Sequence, residues 1–528
     1  MLIKTTRLAA AVLAFSSLAA FPAHSAVTFK AVLNGEVAVI DPIATTNYRT
    51  RDFAYLVWDT LIAVDSKGNY RPQMLESFSS SDDSMNYTFK LRPGLVWSDG
   101  TPVTAEDCVA SIKRWAARDG MGKQMAARTD SWQIIDERTF TLKLKEPFGY
   151  VIDALGKPSS NVPVMMPKRL AETEPNKAIT EVVGSGPFLF RKDLWVPGDR
   201  MVFEKNPRYT PRDEPADGLA GGKRVNIDRL ELVTMPDLAT AVSALQTGEV
   251  DFIQRLPYDF LPLLKGNPDV VLDNKSSGVS SMMIAARPNH LQPPFDKVEV
   301  RRVLQVLFDQ KTLLSAIGAP ADQGMVCPSI FMCDAPFSST ALAERVESPS
   351  LEKAREMLRE SGYNGEKIVV LDAADISTIH IPATVMADLM TKAGFNVEVQ
   401  SSDWATVAQK RWSKKPISEG GWSLLPLQWE GYDLSNPMTN YGVAHNCTDG
   451  YAGWSCDTET TALMAEFIKA TDPAERQKFI DQIQARAVDT VSIVLGGQFA
   501  PVNGYRANVK DMLTGTGIPI FWNLSKQQ

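Results

Sequence analysis

Histidine is scarce in this chain, with four residues among 528, and catalytic signatures are absent altogether. There is no G-x-S-x-G elbow, no G-x-x-x-x-G-K-[ST] phosphate loop, no H-E-x-x-H and no EF-hand loop. These absences remove the usual marks of serine hydrolases, nucleotide-driven enzymes, zinc proteases and calcium sensors. Gly221-Gly222-Lys223-Arg224 comes nearest to a phosphate loop, but Arg224 stands where a hydroxyl residue would hold magnesium, so it reads as a turn. His290, His380 and His445 lie far apart and read as surface or structural residues, and no metal site is expected. Acid pairs such as Asp82-Asp83 and Asp136-Glu137 sit in turns as solvated charges. An enzyme is not expected.

Long apolar runs are lacking too. The longest, residues 8–20, follows Lys4 and Arg7 and precedes Ala23-His24-Ser25, the pattern of a cleavable secretory signal over residues 1–25. It is shorter than the roughly 20 apolar residues a membrane span needs. Five cysteines are present, and the first is Cys108, so no cysteine near the expected cleavage site could carry a lipid. A soluble product of an oxidising compartment, the periplasm, is expected. Four cysteines form two local pairs, Cys327 with Cys333 and Cys447 with Cys456, and local disulfides are their simplest pairing. Cys108 shares a helix face with Ile112 and Trp115, which predicts a buried inert thiol.

The formal net charge is -7, and the excess of acid over base argues against nucleic acid and anionic membranes as partners. A chain this long exceeds one core, so two or three lobes are expected.

What is abundant is ordered strand, turn and helix punctuation. In residues 70–115, Tyr87, Phe89 and Leu91 alternate as in a half-buried strand. Pro93-Gly94 and Asp99-Gly100 flank Val96 and Trp97 as turns, and Thr104 with Asp107 forms a shortened capping box for a helix reaching Trp115. This run resembles the family-5 solute-binding proteins of ABC importers, the dipeptide, oligopeptide and nickel receptors. The likeness extends through FAYLVWDTLIAVDSKGNYRPQMLES, VVGSGPFLFRKDLWVPGDRMVFEKNPRYT, VNIDRLELVTMPDLATAVSALQTGEVDFI and PFDKVEVRRVLQVLFDQKTLL. Further on, the pattern predicts a helix over LEKAREMLRESGYNG and a strand–helix–strand unit at 368–371, 382–393 and 395–399.

The resemblance implies an α/β fold of the periplasmic-binding-protein type (type II, cluster C), a two-lobe Venus flytrap with an extra domain. It implies a discontinuous domain I (26–65, 186–286 and 500–528), domain II at 66–185 and domain III at 287–499, with crossings near 285–288 and 498–503. It also implies a receptor that closes on a small solute, a di- or oligopeptide first, and delivers it to an inner-membrane ABC permease as a monomer without a cofactor. Opines, modified amino acids, oligosaccharides and metal chelates remain open as cargo, and a periplasmic hydrolase is the alternative of another class.

In peptide-binding members a Trp-x-Gly-Asp segment offers its Asp to the peptide ammonium. The corresponding string here is Trp429-Glu430-Gly431-Tyr432-Asp433, with Tyr432 at the expected acid position and Asp433 one residue later. Asp433 either meets an ammonium or caps its own turn. Trp429 and Tyr432 either wall the cleft or pack as core. In the loop 44–51, which the family uses to line the cleft, Asn47 and Tyr48 offer an amide and a hydroxyl. Arg49 or Arg51 could meet a carboxylate, with a solvated Arg51 the favoured reading. From the helix 404–412, Arg411 and Trp412 are expected to approach the pocket, whereas Trp404 reads as core.

Overall fold

The computed structural model describes residues 26–346, 348–444, 447–470 and 472–527. The expected signal over 1–25 and His445 lie outside them. Three sheets organise these residues. The first has seven strands in the order Val270–Asp273, Val502–Arg506, Phe252–Leu256, Thr28–Val32, Arg229–Val233, Arg200–Lys205 and Phe188–Phe190. Thr28–Val32 runs parallel to both of its neighbours, and Phe29 and Ala31 are fully buried. Thr28 and Lys30, on the opposite face, are only half-buried, which fits the alternation of the sequence Thr-Phe-Lys-Ala-Val.

The second sheet has four antiparallel strands, Leu75–Ser80, Asn86–Leu91, Thr139–Leu144 and Thr129–Ile134. The alternation read from the sequence is realised: Tyr87, Phe89 and Leu91 are buried and their outward neighbours are not. Thr104 and Asp107 form the capping box of the helix Ala105–Ala116, whose Cys108, Ile112 and Trp115 are buried. Trp97 Nε1 donates to Asp107 at 3.3 Å, so the cap also satisfies a buried indole.

The third sheet has six strands, Gly324–Met325, Val494–Phe499, Met282–Pro288, Leu424–Glu430, Lys367–Ala373 and Asn396–Ser402. The last two are parallel neighbours joined by the helix Ser377–Ala393, which starts five residues before the expected Pro382. Pro382 is the sixth residue of this helix and lies inside it, so it removes the bond its N–H would otherwise give to the Thr378 carbonyl. The expected crossing at 285–288 falls inside the strand Met282–Pro288, which is paired along its whole length within the third sheet. The chain therefore passes from the first sheet to the third before Met282. It returns between Phe499 and Val502.

One continuous buried cluster includes Phe29 of the first sheet, Phe89 of the second and Trp429 of the third. A second cluster, with Val303, Leu304 and Met386, covers the other face of the third sheet. Both cysteine pairs are disulfides, Cys327–Cys333 and Cys447–Cys456, and Cys108 is free and buried. Lys223 of the glycine-rich turn is fully buried against Asp59 at 2.8 Å, a structural ion pair. Among the described residues no helix is long and apolar enough to cross a membrane.

Candidate site at the meeting of three sheets

The loop after Thr28–Val32 leads into the helix Tyr48–Val57, and Asn47 is its N-cap, accepting from the Arg49 backbone N at 2.8 Å. An N-cap amide with its oxygen so engaged serves the helix first. Tyr48 projects across to the third sheet. Its hydroxyl donates to Asp433 Oδ2 at 2.6 Å and accepts from the Glu430 backbone N at 3.0 Å. Asp433 Oδ1 accepts from the backbone N and the hydroxyl of Ser160 at 2.9 and 3.0 Å. Ser160 lies beyond the helix Val151–Gly156, which packs on the strands Ile62–Val64 and Tyr70–Pro72. A single carboxylate thus ties together three segments far apart in the sequence. Burial pushes the Asp433 carboxyl above its ordinary range despite these donors.

Glu430 ends the strand Leu424–Glu430 and is 3% exposed. One of its oxygens is held by Arg51 and the other by Arg255. Burial alone would raise its pKa, but the two guanidinium groups outweigh it and hold the carboxyl below the usual range. Arg51 is 1% exposed, so the solvated reading of this residue is corrected. Its sequence neighbour Asp52 takes the remaining donors at 2.8 and 3.2 Å. A long basic side chain next to an acid looks solvated in sequence, yet here both are enclosed because Glu430 supplies the second countercharge. Arg49 pairs with Asp52 at 3.1 Å and donates to Gln254 Oε1.

The marker segment 70–115 does reach this site, one residue removed. Trp115 Nε1 donates to the Asn161 carbonyl at 2.6 Å, and Asn161 Nδ2 fastens the carbonyls of Pro42, Ile43 and Thr45 at 2.9 to 3.2 Å. Asn161 takes a positive φ of 54°, which its short amide side chain tolerates. It therefore shapes the loop before Tyr48 while its neighbour Ser160 holds Asp433.

The other expected residues separate into two groups. Trp429 is buried, with its ring 6.2 Å from Tyr451, and Tyr432 is half-buried, its phenol pushed up to about 12 by burial. Arg411 is buried, donates to the Tyr451 hydroxyl at 2.8 Å and lies 5.3 Å over that ring. Arg287 lies 5.2 Å over the same ring, so two guanidinium groups flank one tyrosine. Trp412 is 47% exposed at the edge of this cluster, 5.5 Å from Tyr451. Trp404 is half-buried beneath Arg411. Sequence reading missed Ser160, Asn161, Gln254, Arg255, Arg287 and Glu430. The polar run Ser159-Ser160-Asn161 between Pro158 and Val162 was a usable signal, whereas nothing local marked Gln254 or Arg255. Among the described residues no cluster of histidine, cysteine or acid suits a metal.

Comparison with known proteins agrees with this architecture. The model of the bacterial extracellular solute-binding proteins, family 5 middle, matches residues 69–451. A probable peptide ABC transporter periplasmic-binding protein of Sinorhizobium fredii is 35% identical over 499 residues, 93% of this chain and 92% of the relative. The glutathione-binding protein GsiB of Salmonella typhi is 25% identical, covering 89% and 88%. Among solved structures, the binding protein AgaA of A. tumefaciens in complex with agropinic acid superposes with a TM-score of 0.76 at 23% identity, over 95% of this chain and 99% of that one. A Pseudoalteromonas dipeptide-binding protein in complex with Met-Leu gives 0.79 at 18%, over 95% and 100%. These solved structures establish the two-lobe periplasmic-binding-protein fold. With a family match spanning most of its length, the chain belongs to the bacterial extracellular solute-binding proteins of family 5.

Proposed function

We propose that this protein captures an amino-acid-derived solute, a di- or oligopeptide first, between its lobes and presents the closed form to an inner-membrane ABC permease. The carrying observation is the Tyr48–Asp433–Ser160 link, in which one buried carboxylate joins three segments far apart in the sequence. Contacts made only when lobes approach are what a closing receptor requires, since a ligand shifts the population by its differential affinity for the closed state. The name of the 35% identical relative supports a peptide cargo.

In this reading domain I carries the seven-stranded sheet, domain II the four-stranded sheet and domain III the six-stranded sheet, with the first crossing moved to before Met282. Trp429, Tyr432, Arg411 and Trp412 form the aromatic and cationic wall on the domain III side. Asn47 and Tyr48 act from domain I, and Asp433 serves closure rather than an ammonium. The product is a monomer exported by a cleaved signal, carries no lipid, binds no nucleic acid and turns nothing over.

Native mass spectrometry of protein purified from the periplasm of its own host tests this. The expected result is a retained small solute at one per chain, together with a solute-dependent change in tryptophan emission. Hydrolysis of a peptide or glycoside panel would instead favour the hydrolase alternative.

A further inference from the structure

Arg49, Arg51 and Arg255 pair directly with only two carboxylates, Asp52 and Glu430. Glu430 has both oxygens engaged by Arg51 and Arg255, and the adjacent Asp433 has both engaged by Tyr48 and Ser160. Lys157, beside Ser160, is matched by Asp119 at 2.7 Å. Of these acids only Asp52 has an oxygen without a hydrogen-bond partner, Oδ2, and it faces the Arg49 guanidinium at 3.1 Å.

Donors, by contrast, are left over. Arg49 Nη2, Gln254 Nε2 and Arg255 Nε are buried without a hydrogen-bond partner among the described residues. They are held near one another by construction. Gln254 Oε1 accepts from Arg49 Nη1 and from the Asn34 backbone N, which fixes the amide beside the guanidinium. Arg255 follows Gln254 on the strand Phe252–Leu256, where successive side chains ordinarily point to opposite faces. Here the pairing register breaks between Ile253 and Leu256, and Arg255 has a φ of 56°, so its side chain is re-aimed toward Glu430. Buried donors without acceptors are rare and destabilising, and three of them from two guanidinium groups and an amide form a niche for an anionic acceptor. The same surplus of donors recurs beside Trp429. Arg287 and Arg411 there have no carboxylate partner among the described residues, and each keeps an unpartnered buried Nε.

We propose that Arg49, Gln254 and Arg255 form a carboxylate-binding subsite, so that the solute is an anionic amino-acid derivative or acidic peptide, held by its carboxylate and not by an ammonium group. This rests on the receptor reading above. Planar guanidinium groups and an amide N–H match the two lone-pair directions of a carboxylate.

The decisive variant is Gln254→Glu, which keeps the oxygen that Arg49 and Asn34 use while placing a fixed carboxylate in the niche. It is expected to fold with a higher thermal midpoint than the parent, because it supplies an acceptor to the unpartnered donors of Arg49 and Arg255. Glutarate in the millimolar range is expected to raise the midpoint of the parent protein in a concentration-dependent way and to leave Gln254→Glu unmoved. Acidic dipeptides such as Ala-Glu should bind the parent at least tenfold more tightly than Ala-Gln, and this preference should vanish in Gln254→Glu and in Arg255→Gln. Equal response of parent and Gln254→Glu to glutarate, or no response in either, overturns the subsite. Solute binding with equal affinity in parent and variants keeps the receptor and removes the subsite. Stabilisation by glutarate with no emission change for any solute keeps the subsite and removes the receptor.

Discussion

Tyr48 donates its phenolic proton to Asp433 across 385 positions of sequence, at 2.6 Å, from a half-buried ring to a buried carboxylate. Burial first, and the Asp433 carboxylate second, push the Tyr48 phenol well above its ordinary range, so it remains a donor at any physiological pH. The bond ties the helix Tyr48–Val57 to the helical turn Gly431–Leu434 that follows the strand Leu424–Glu430, and Ser160 completes it from the segment after the helix Val151–Gly156.

Tyr48→Phe removes this donor and leaves a buried carboxyl oxygen short of a partner. The expected loss is about 1–3 kcal/mol of stability, the range for orphaning a buried acceptor. Denaturant midpoints give the cost, and a double-mutant cycle with Asp433→Ala separates the coupling from the separate effects of each side chain. Additive losses would show that the two residues stabilise the fold independently.

Asp433 and Glu430 titrate in opposite senses. The folded carboxyl of Asp433 is raised above the ordinary 3.8 by burial, so its contribution is complete below that value and declines as pH rises through the raised one. For Glu430, burial is outweighed by Arg51 and Arg255, and its contribution is present above the ordinary 4.5 and lost as pH falls through the lowered value. Relative to Asp433→Asn, the parent protein should therefore lose stability as pH rises from about 4 toward 7. The deficit of Glu430→Gln should shrink as pH falls below 4.5. Thermal unfolding across this range checks both slopes.

Much of the fold was legible because its signals are local. The capping box at Thr104 and Asp107 and the alternation at Tyr87, Phe89 and Leu91 each depend on a few adjacent residues. The site was only partly legible. Tyr48, Trp429 and Asp433 could be found by their place in a recognised pattern, but their roles depend on Ser160, Arg51 and Arg255, which arrive from distant segments. The enclosure of Arg51 illustrates the difficulty: its burial is decided by Glu430, 379 positions away. The expected crossing near 285–288 falls within a strand because the apolar run there reads equally well as a strand of either sheet, and only pairing assigns it to the third.

The glycines of the Val183–Gly186 turn sit where no side chain fits. A Cβ on Gly184 would overlap the Val57 carbonyl oxygen, and one on Gly186 would lie 2.6 Å from the Val57 carbonyl carbon. The close approach lets Trp58 Nε1 donate to the Val183 carbonyl at 3.0 Å. Gly184→Ala should therefore cost at least the roughly 1–3 kcal/mol typical of overpacking, since backbone and not a flexible side chain must yield. A midpoint within 1 °C of the parent would contradict this packing.

Thiol chemistry gives a direct check on the cysteines. Cys108 is fully buried, and burial pushes its thiol well above the ordinary range, so it should resist Ellman's reagent in the native protein. Without reductant, denaturation should expose a single thiol per chain, because the other four cysteines are paired.

Glu430→Gln carries the largest expected effect. The substitution keeps shape and one acceptor oxygen but removes the charge that Arg51 and Arg255 share. Breaking one side of a buried ion pair typically costs about 3–5 kcal/mol, because the remaining charges stay enclosed without compensation. The loss should fall mainly on the closed form, since Arg51 and Arg255 approach from the first sheet and Glu430 from the third. Small-angle scattering would then show a larger radius of gyration for the variant in the presence of solute, while its secondary structure by circular dichroism stays unchanged. An unaltered radius with an unaltered unfolding midpoint would mean that these guanidinium groups find other partners, and that Glu430 does not govern closure.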